Sequence, residues 1–428
     1  MDSTSVFIVI LNIVVAVLLA LGGVPVLVWL ERRVAGFIQD RSGPNRCNIA
    51  GIRLGGLIQS FADMLKLVFK EDIIPAHIKK RFLFALAPTI VLFSSLLTFS
   101  VIPFADTLSI NGKSYILQAL PTNLGIVWFL AFAGLSVYGI ILAGISSDNK
   151  YSLLGGLRAS AGTISYEPVM ALSVISMLII YGTISLNDIA VKQSELLFGF
   201  IPAWGVLLQP IAAITFIVSA FAEANRTPFD LAEGESEIVG GFHTEYGAMK
   251  FGLFFVGEYV AMSASSGVIV TLFFGGYNIP WLSTTSLKEH ISIVSLVIAL
   301  LLPLFSYLFI KWMFKNNSWK VKSDKRNQES RVLAKVIVVS NIILIALIAY
   351  FNLFGKTQNS IAIVVALLQF CTFVIKLFMM NLVYIWVRWT LPRFRYDQLQ
   401  TLCWKYLLPI SIGNIFATAI VVVALSGV

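Results

Sequence analysis

The chain has 428 residues, of which 58% are hydrophobic and 12% are charged, and its formal net charge is +9. Soluble domains usually carry about 25% charged residues, so this composition excludes a water-soluble protein. The three cysteines lie far apart without a CxxC pair, the three histidines are scattered, and no nucleotide-binding glycine motif is present, so we expect no metal, flavin or iron–sulfur cluster in this chain.

Ten apolar segments predict an all-α polytopic membrane protein. Each is close to the roughly 20 residues that a helix needs to cross the hydrocarbon layer, where helices satisfy their own backbone hydrogen bonds. The first segment lacks a basic start and is too long for a cleaved signal peptide, so it is predicted to be a span. The predicted spans are 5–30, 81–103, 122–146, 161–183, 203–223, 248–276, 290–314, 332–354, 360–387 and 406–427.

The distribution of Lys and Arg predicts the orientation of these spans. In or beside the loops that follow odd-numbered spans lie 26 of these residues, whereas the other loops hold 4 and Lys376 lies inside the ninth span. Cytoplasmic loops carry the excess of positive charge. The odd loops are therefore expected to be cytoplasmic, with both termini on the other side of the membrane.

Residues 49–70 predict an amphipathic helix in the membrane interface. Six apolar side chains between Ile52 and Phe69 fall near one helical face, while Asp63, Lys66 and Lys70 interrupt the apolar run. Two interpretations stay open at this stage. The helix either anchors the chain in the interface or forms one wall of a cavity for an amphiphilic ligand.

Four ionisable residues lie inside or at the ends of predicted spans. Charged groups in the hydrocarbon layer are costly, about 2.5–3.5 kcal/mol at a helix centre, and often mark function. Glu167, Glu223 and Glu258 belong to three successive spans, so they could form a proton relay. The alternative is that each reaches the surface or pairs with a partner. Lys376 is a candidate counter-charge for one of them.

The segment 223–245 concentrates acid in a basic protein. It holds six carboxylates and a single basic residue, Arg226, and lies between two long apolar segments. Carboxylates this close titrate as a coupled group, so the segment is a candidate for handling protons or cations. A solvated acidic loop is the alternative. The six are Glu223, Asp230, Glu233, Glu235, Glu237 and Glu245.

Two basic segments follow later in the chain. Residues 315–335 predict a solvated loop or one that touches anionic lipid headgroups. Arg388, Arg393 and Arg395 cluster after the ninth span. They either end a helix according to the positive-inside rule or dock an acidic partner surface.

Five long motifs, in order, resemble those of the H-subunit family of the proton-pumping NADH–quinone oxidoreductase, respiratory complex I. The resemblance covers residues 1 to about 276 and about 360 to 428. The motifs are ERRVAGFIQDRSGPNR (31–46), ADMLKLVFKED (62–72), NKYSLLGGLRASAGTISYE (149–167), AEANRTPFDLAEGESEIVGGFHTEY (222–246) and WVRWTLPRFRYDQL (386–399).

This resemblance implies a protein that joins the membrane arm to the peripheral arm, forms most of the quinone chamber and leaves iron–sulfur centres to other subunits. Quinone, as ubiquinone or menaquinone, is then the substrate. The implied chamber residues are Glu31, Arg32, Gln39, Arg41, Asp63 and Phe229. The implied acidic track comprises Asp63, Glu167, Glu223, Glu233, Glu235, Glu237, Glu245 and Glu258, and Lys376 matches a lysine of the penultimate helix.

The chain departs from the family pattern of eight spans. The seventh and eighth spans and their basic loop resemble an inserted helical pair, which divides the chain into residues 1–276, 277–359 and 360–428. The pair is either a lipid-facing decoration or an extra subunit contact. The third span carries no acid, so a relay there would need water or Tyr138.

The leading hypothesis is a subunit of this inner-membrane translocase that couples quinone reduction to proton movement. Its expected partners are the peripheral-arm subunits of the quinone site, the adjacent small membrane subunits and membrane lipid, without nucleic acid. A membrane subunit of a related energy-converting hydrogenase is the alternative. A stand-alone ion transporter is a third hypothesis, although no internal repeat of the kind common in transporters is visible.

Overall fold

Long helices make up most of the computed structural model, which describes residues 3–49, 52–197, 199–232, 238–316 and 325–426. Within these ranges, nine helical segments are long and apolar enough to cross a membrane, which confirms an all-α polytopic membrane protein. The helices are α1 (Ser3–Ile38), α2 (Leu57–Phe69), α3 (Arg81–Phe99), α4 (Gly125–Ser146), α5 (Lys150–Tyr181), α6 (Leu186–Lys192), α7 (Gly205–Leu208), α8 (Pro210–Glu223), α9 (Ala248–Phe273), α10 (Thr284–Glu289), α11 (Ile291–Asn316), α12 (Lys325–Phe354), α13 (Gln358–Thr390), α14 (Tyr396–Thr401) and α15 (Leu408–Ser426).

The fifth predicted span, 203–223, is divided into two helices. Gln209 leaves the helical conformation (φ −137°, ψ 66°), and Pro210 begins α8, whose 14 residues extend about 21 Å. The polar break is satisfied inside the bundle, because the Gln209 amide bonds Thr418 at 2.8 Å and Asn414 at 2.9 Å. This span is therefore shorter than predicted.

Helix α5 begins eleven residues before the predicted span at 161. The Asn149 side chain accepts a hydrogen bond from the backbone N–H of Tyr151 and caps the N-terminus, and Gly182 ends the helix at φ 62°. Its 32 residues extend about 48 Å, well beyond the roughly 30 Å hydrocarbon layer. The early start is stabilised by small residues that allow close packing, since Gly155 and Gly156 are buried.

The core lies where α1, α5, α8, α9 and α13 meet. Its largest enclosed side chains include Tyr166, Phe216, Tyr259 and Tyr384, each from a different helix. Helix α9 is the most enclosed of the described spans. Within an apolar stretch of 18 residues, 72% of its residues are buried, against 6% in α11 and none in α12. The pair α11 and α12 thus faces outward, while its origin as an insertion stays a prediction.

Two short antiparallel ribbons lie in the loops. Strands β1 (Ala105–Ile110) and β2 (Lys113–Leu117) join through Asn111 and Gly112, which both have positive φ, as a type I′ turn requires. A two-residue pair, β3 (Leu196–Leu197) and β4 (Ile201–Pro202), precedes α7.

Helix α2 is the amphipathic helix that residues 49–70 predict, although it begins only at Leu57. A 3₁₀ turn, Leu54–Gly56, precedes it, with Gly55 and Gly56 at φ 64° and 97°. Ile58 faces the bundle, whereas the apolar side chains of its other face are exposed. This exposed face suits the lipid interface or a partner.

Candidate functional site

A buried charged cluster centres on Glu31, near the C-terminal end of α1. One carboxylate oxygen, Oε2, accepts a hydrogen bond from the Tyr259 hydroxyl at 2.6 Å and lies 3.6 Å from Arg226 Nη1. The other, Oε1, lies 2.9 Å from Arg388 Nη1. One carboxylate therefore ties α1 to the loop after α8, to α9 and to α13. We call these four residues the Glu31 cluster.

Arg226 is the most enclosed cation of this cluster, at 4% exposure. Its guanidinium stacks over the Tyr259 ring, 4.1 Å from the centroid. Burial acts to lower the pKa of this guanidinium, but neighbouring acidic groups, chiefly Tyr259 and Glu31, outweigh it and raise the pKa above its ordinary value. Arg226 is therefore charged, and its Nε and Nη2 atoms have no hydrogen-bond partner among the described residues.

A small cavity of about 20 Å³ lies beside the cluster. Glu223 from the end of α8 and Glu258 from α9 line it together, with Ser95, Ser136 and Asn225. This volume is enough for one water molecule. Both carboxylate oxygens of Glu223 are buried without a hydrogen-bond partner among the described residues. We call this space the acidic cavity.

Electrostatic contacts extend the acidic cavity in two directions. The charge of Glu167, from α5, acts on Glu223. That of Glu258 acts on Arg226, which belongs to the Glu31 cluster. Ionisable residues therefore lie in series from Glu167 through the acidic cavity to Glu31.

Helix geometry explains why neighbours in sequence serve different parts of this series. Glu258 and Tyr259 are consecutive on α9, and successive side chains of a helix point about 100° apart. Glu258 accordingly faces the acidic cavity, while Tyr259 faces α1. Glu167 packs against a glycine of α4, since a Cβ on Gly134 would lie 2.8 Å from its Oε1.

The six predicted chamber residues fall in three places. These are the C-terminal end of α1 with the residues just beyond it, the Glu31 cluster, and an aromatic contact around Phe229. Arg32 forms an ion pair with Asp63 of α2, at the half-exposed end of α1. Beyond that end, the exposed Arg41 side chain donates to Gln39 Oε1 at 2.6 Å. Glu31 lies in the second place, the Glu31 cluster. Because Glu31 and Arg32 are consecutive residues of α1, this helix connects the first place with the second.

Phe229 occupies the third place, inside an aromatic contact. Its ring lies 5.6 Å from both Tyr166 and Phe394, measured between centroids. The next residue, Asp230, pairs with Arg393 Nη2 at 3.0 Å. The loop after α8 is thereby attached to the segment between α13 and α14.

Glu245 lies in a separate polar group. Its Oε1 accepts from Asn149 Nδ2 at 2.6 Å, and its Oε2 lies 3.8 Å from His77. Next to it, burial raises the pKa of Tyr246 to about 12, so its neutral hydroxyl donates to the Phe84 carbonyl at 3.1 Å. The predicted residues Glu233, Glu235 and Glu237 lie outside the described residues.

Lys376 has different partners from the predicted carboxylate. Its ammonium donates to three backbone carbonyls just beyond the C-terminus of α9, those of Phe274 (2.9 Å), Gly276 (3.0 Å) and Asn278 (2.7 Å). Three acceptors satisfy all three N–H groups of an ammonium, and a cation at a helix C-terminus is favoured by the helix dipole. The counter-charge hypothesis for Lys376 is therefore wrong.

Replacing Lys376 with alanine should destabilise the protein, because three partly buried carbonyls lose their donor. We expect a loss of about 1–3 kcal/mol, measured as a lower melting temperature of the purified protein in detergent. Lys356→Ala is the matched control, since Lys356 is exposed. Equal melting temperatures for the two variants would contradict a structural role of Lys376.

The basic cluster after the ninth span is largely paired within the chain. Arg388 contacts Glu31 and Arg393 contacts Asp230, whereas Arg395 forms an exposed pair with Asp397 at 3.5 Å. All three arginines are thus paired within the chain, and two of the three carboxylate partners, Glu31 and Asp230, are buried. In the described residues, no group of three or more potential metal ligands comes together.

Comparison with known proteins identifies the family. The family model described as NADH dehydrogenase matches residues 10–318 and 331–419. The chain belongs to the NADH dehydrogenase family. It is 38% identical to the H-type subunit of the NADH-quinone oxidoreductase of Bdellovibrio bacteriovorus, over 96% of this chain and 95% of that protein. It is 40% identical to subunit 8 of the enzyme from Rhodothermus marinus, over 92% and 91%.

These matches confirm the resemblance that the five motifs indicate. With nine spans among its described residues, the chain is a multi-pass membrane protein of the NADH dehydrogenase family. Sequence reasoning missed the partners of Glu31, in particular Tyr259 and Arg388. They lie 228 and 357 positions further along the chain, a separation that no local pattern reveals.

Proposed function

We propose that this chain is the membrane subunit of a proton-translocating NADH–quinone oxidoreductase, since its relatives are named as subunits of NADH-quinone oxidoreductases. In that complex it would form the quinone chamber at the junction with the peripheral arm. It would also couple quinone reduction to proton translocation through its carboxylates. Quinone is the substrate in this proposal, and the chain supplies no redox centre.

The series of ionisable residues from Glu31 to Glu167 carries this proposal. Its first residue is next to Arg32, which pairs with Asp63 at the proposed chamber wall. From there, the Glu31 cluster and the acidic cavity form a series of ionisable groups that extends into the bundle. A change of charge at the chamber would therefore act electrostatically on carboxyl groups inside the membrane.

The acidic cavity is the proposed site of proton holding. Glu223 and Glu258 line the same small cavity, so we propose that they share the proton that is held there. Arg226, held by Glu31, acts on Glu258 from the chamber side. We propose that a shift of the Glu31 cluster during quinone reduction alters the field at Glu258 and moves a proton.

Substitution of the two cavity acids by glutamine tests the relay. Gln is nearly isosteric but cannot release a proton, so Glu223→Gln and Glu258→Gln should each lower coupled proton pumping by about 10-fold or more. The measurement is NADH–quinone reductase activity together with acidification in vesicles that contain the assembled complex. Glu195→Gln, at an exposed position, is the control. Normal pumping in both cavity variants would refute the relay.

The proposed partners are the subunits of the peripheral arm near the quinone site and the small membrane subunits beside this one. The exposed apolar face of α2, with Phe61, Leu65 and Phe69, suits such contacts or lipid. The proposed orientation places both termini on the non-cytoplasmic side, in agreement with the Lys and Arg distribution. Copurification in mild detergent tests the assembly, and transport by the isolated chain would instead favour a stand-alone transporter.

A further inference from the structure

The pair of helices α11 and α12 has one contact that the proposed function leaves unexplained. Along most of its length α12 faces outward, and side chains such as Val332 and Val336 are at least half exposed. Its first turns differ, because Ser330 is 5% exposed and Glu329 reaches the turn before α2. An otherwise peripheral helix thus meets the region of the proposed chamber.

Glu329 and α1 hold the two backbone polar groups of Gly55, one on each side of its Cα. Its Oε1 accepts the backbone N–H of Gly55 at 2.7 Å. The carbonyl of Gly55 accepts from Trp29 Nε1 and Arg33 Nε, both at 3.0 Å. Hydrogen bonds to charged groups are about twice as strong as neutral ones. Gly55 is therefore clamped between α12 and α1.

The clamped turn has little freedom to adopt another shape. Gly55 and Gly56 both have positive φ, which only glycine adopts readily. A Cβ on Gly56 would lie 2.2 Å from the Pro44 carbonyl oxygen, so the loop packs directly on the turn. Since α2 begins at the next residue, Leu57, the clamp fixes where α2 starts.

Charge favours the same contact. Glu329 lies in a strongly basic segment, yet it lines a cavity of about 40 Å³ together with Arg33 and Arg53. A carboxylate facing two guanidinium groups is attracted to that position. The leucine at 333 also lines this cavity, so apolar packing accompanies the polar contact.

We propose that Glu329 is a positioning residue that braces α2. By holding Gly55 it fixes the start of α2, and with it the approach of Asp63 to Arg32 at the proposed chamber wall. The α11–α12 pair would then stabilise the position of α2 at the proposed chamber wall. The effect on quinone rests on the proposed function, whereas the brace itself does not.

The first test measures the distance between α2 and α12. Spin labels carried by non-canonical amino acids replace the exposed Val68 and Val336 in the assembled complex. Glu329→Ala should broaden the distance distribution, because the clamp on Gly55 is lost, whereas Glu289→Ala, an exposed acid at the other end of the pair, should not. An unchanged distribution in Glu329→Ala would overturn the brace, whatever the activity.

The second test measures the KM for quinone against kcat. If Asp63 is misplaced in Glu329→Ala, we expect the KM for quinone to rise about 3-fold or more over the parent value. The kcat should stay within about 2-fold of the parent, since binding rather than chemistry is perturbed. A broadened distance with an unchanged KM would overturn the positioning role. If the parent complex reduces no quinone, the proposed function fails, and the distance measurement still decides the brace.

A shorter carboxylate keeps the test decisive if the alanine variant does not assemble. Glu329→Asp withdraws the acceptor by about one methylene, which lengthens the bond to the Gly55 N–H. The distance distribution should broaden in the same direction, and a distribution identical to the parent would overturn the proposal. Cysteines introduced by Ser330→Cys and Asn45→Cys in the Glu329→Asp variant can be joined by a short crosslinker, since both positions line the 40 Å³ cavity. The crosslink should restore the narrow distance distribution of the parent.

Discussion

Replacing Glu31 with alanine should destabilise the protein by about 3–5 kcal/mol, the cost of removing one partner from a buried ion pair. Its carboxylate contacts Arg388 at 2.9 Å and Tyr259 at 2.6 Å, and it faces Arg226 at 3.6 Å. Without it, Arg226 keeps its charge at 4% exposure and loses its ion pair with Glu31. Quinone reductase activity should fall with the loss of assembled complex.

Thermal unfolding of the purified complex and its yield in detergent check this expectation. Asp397→Asn is the matched control, because the pair of Arg395 and Asp397 is 76% and 70% exposed and such pairs contribute about 0–1 kcal/mol. Glu31→Gln adds a finer comparison, since it keeps the shape and removes the charge. A wild-type melting temperature in Glu31→Ala would contradict the importance of the cluster.

Gly155→Ala should disrupt the packing of α5, although it adds only one methyl group. An added Cβ would lie 2.6 Å from the Cα of Gly241 and 2.8 Å from the backbone nitrogen of Phe242. Backbone atoms cannot rotate away, so α5 and the 3₁₀ turn Gly241–His243 must separate, at a cost of about 1–3 kcal/mol or more. Phe242 also lines the acidic cavity, so proton pumping should decline as well.

Gly23→Ala provides the control for this substitution. Gly23 is also inside a long helix, and a Cβ there would meet nothing within 4 Å. Alanine is the better helix former by about 1 kcal/mol, so this variant should be neutral or slightly stabilised. Melting temperatures and vesicle acidification, measured side by side, separate close packing from a general intolerance of alanine. Similar losses in the two variants would contradict our interpretation.

The sequence predicted the membrane fold well because apolar length and charge distribution are local signals. It failed at the fifth span, where Gln209 breaks the helix and is satisfied by Asn414 and Thr418 from far along the chain. It also misjudged where α5 begins, because Gly155 and its neighbours extend the helix through packing rather than hydropathy.

The candidate site was predicted in part. Motifs identified Glu31 and Glu223, and its place inside an apolar span identified Glu258. The structure connects the three residues through Arg226 and the acidic cavity. Lys376 was assigned the wrong partner, because its acceptors are backbone carbonyls, which every residue type carries. A sequence therefore shows which charged residues are present, but it does not readily show which groups form hydrogen bonds or ion pairs with them.

The Glu31 cluster also has a consequence for biosynthesis. Glu31 enters the membrane with the first helix, but Arg388 is made 357 residues later, in the penultimate long helix. Until α13 is inserted, the carboxylate lacks its closest cationic contact, at 2.9 Å. A truncated or misinserted chain would then retain a poorly compensated acid in its bundle, whereas a complete chain would not. Finished and unfinished molecules therefore differ in whether the Glu31 carboxylate is paired with Arg388.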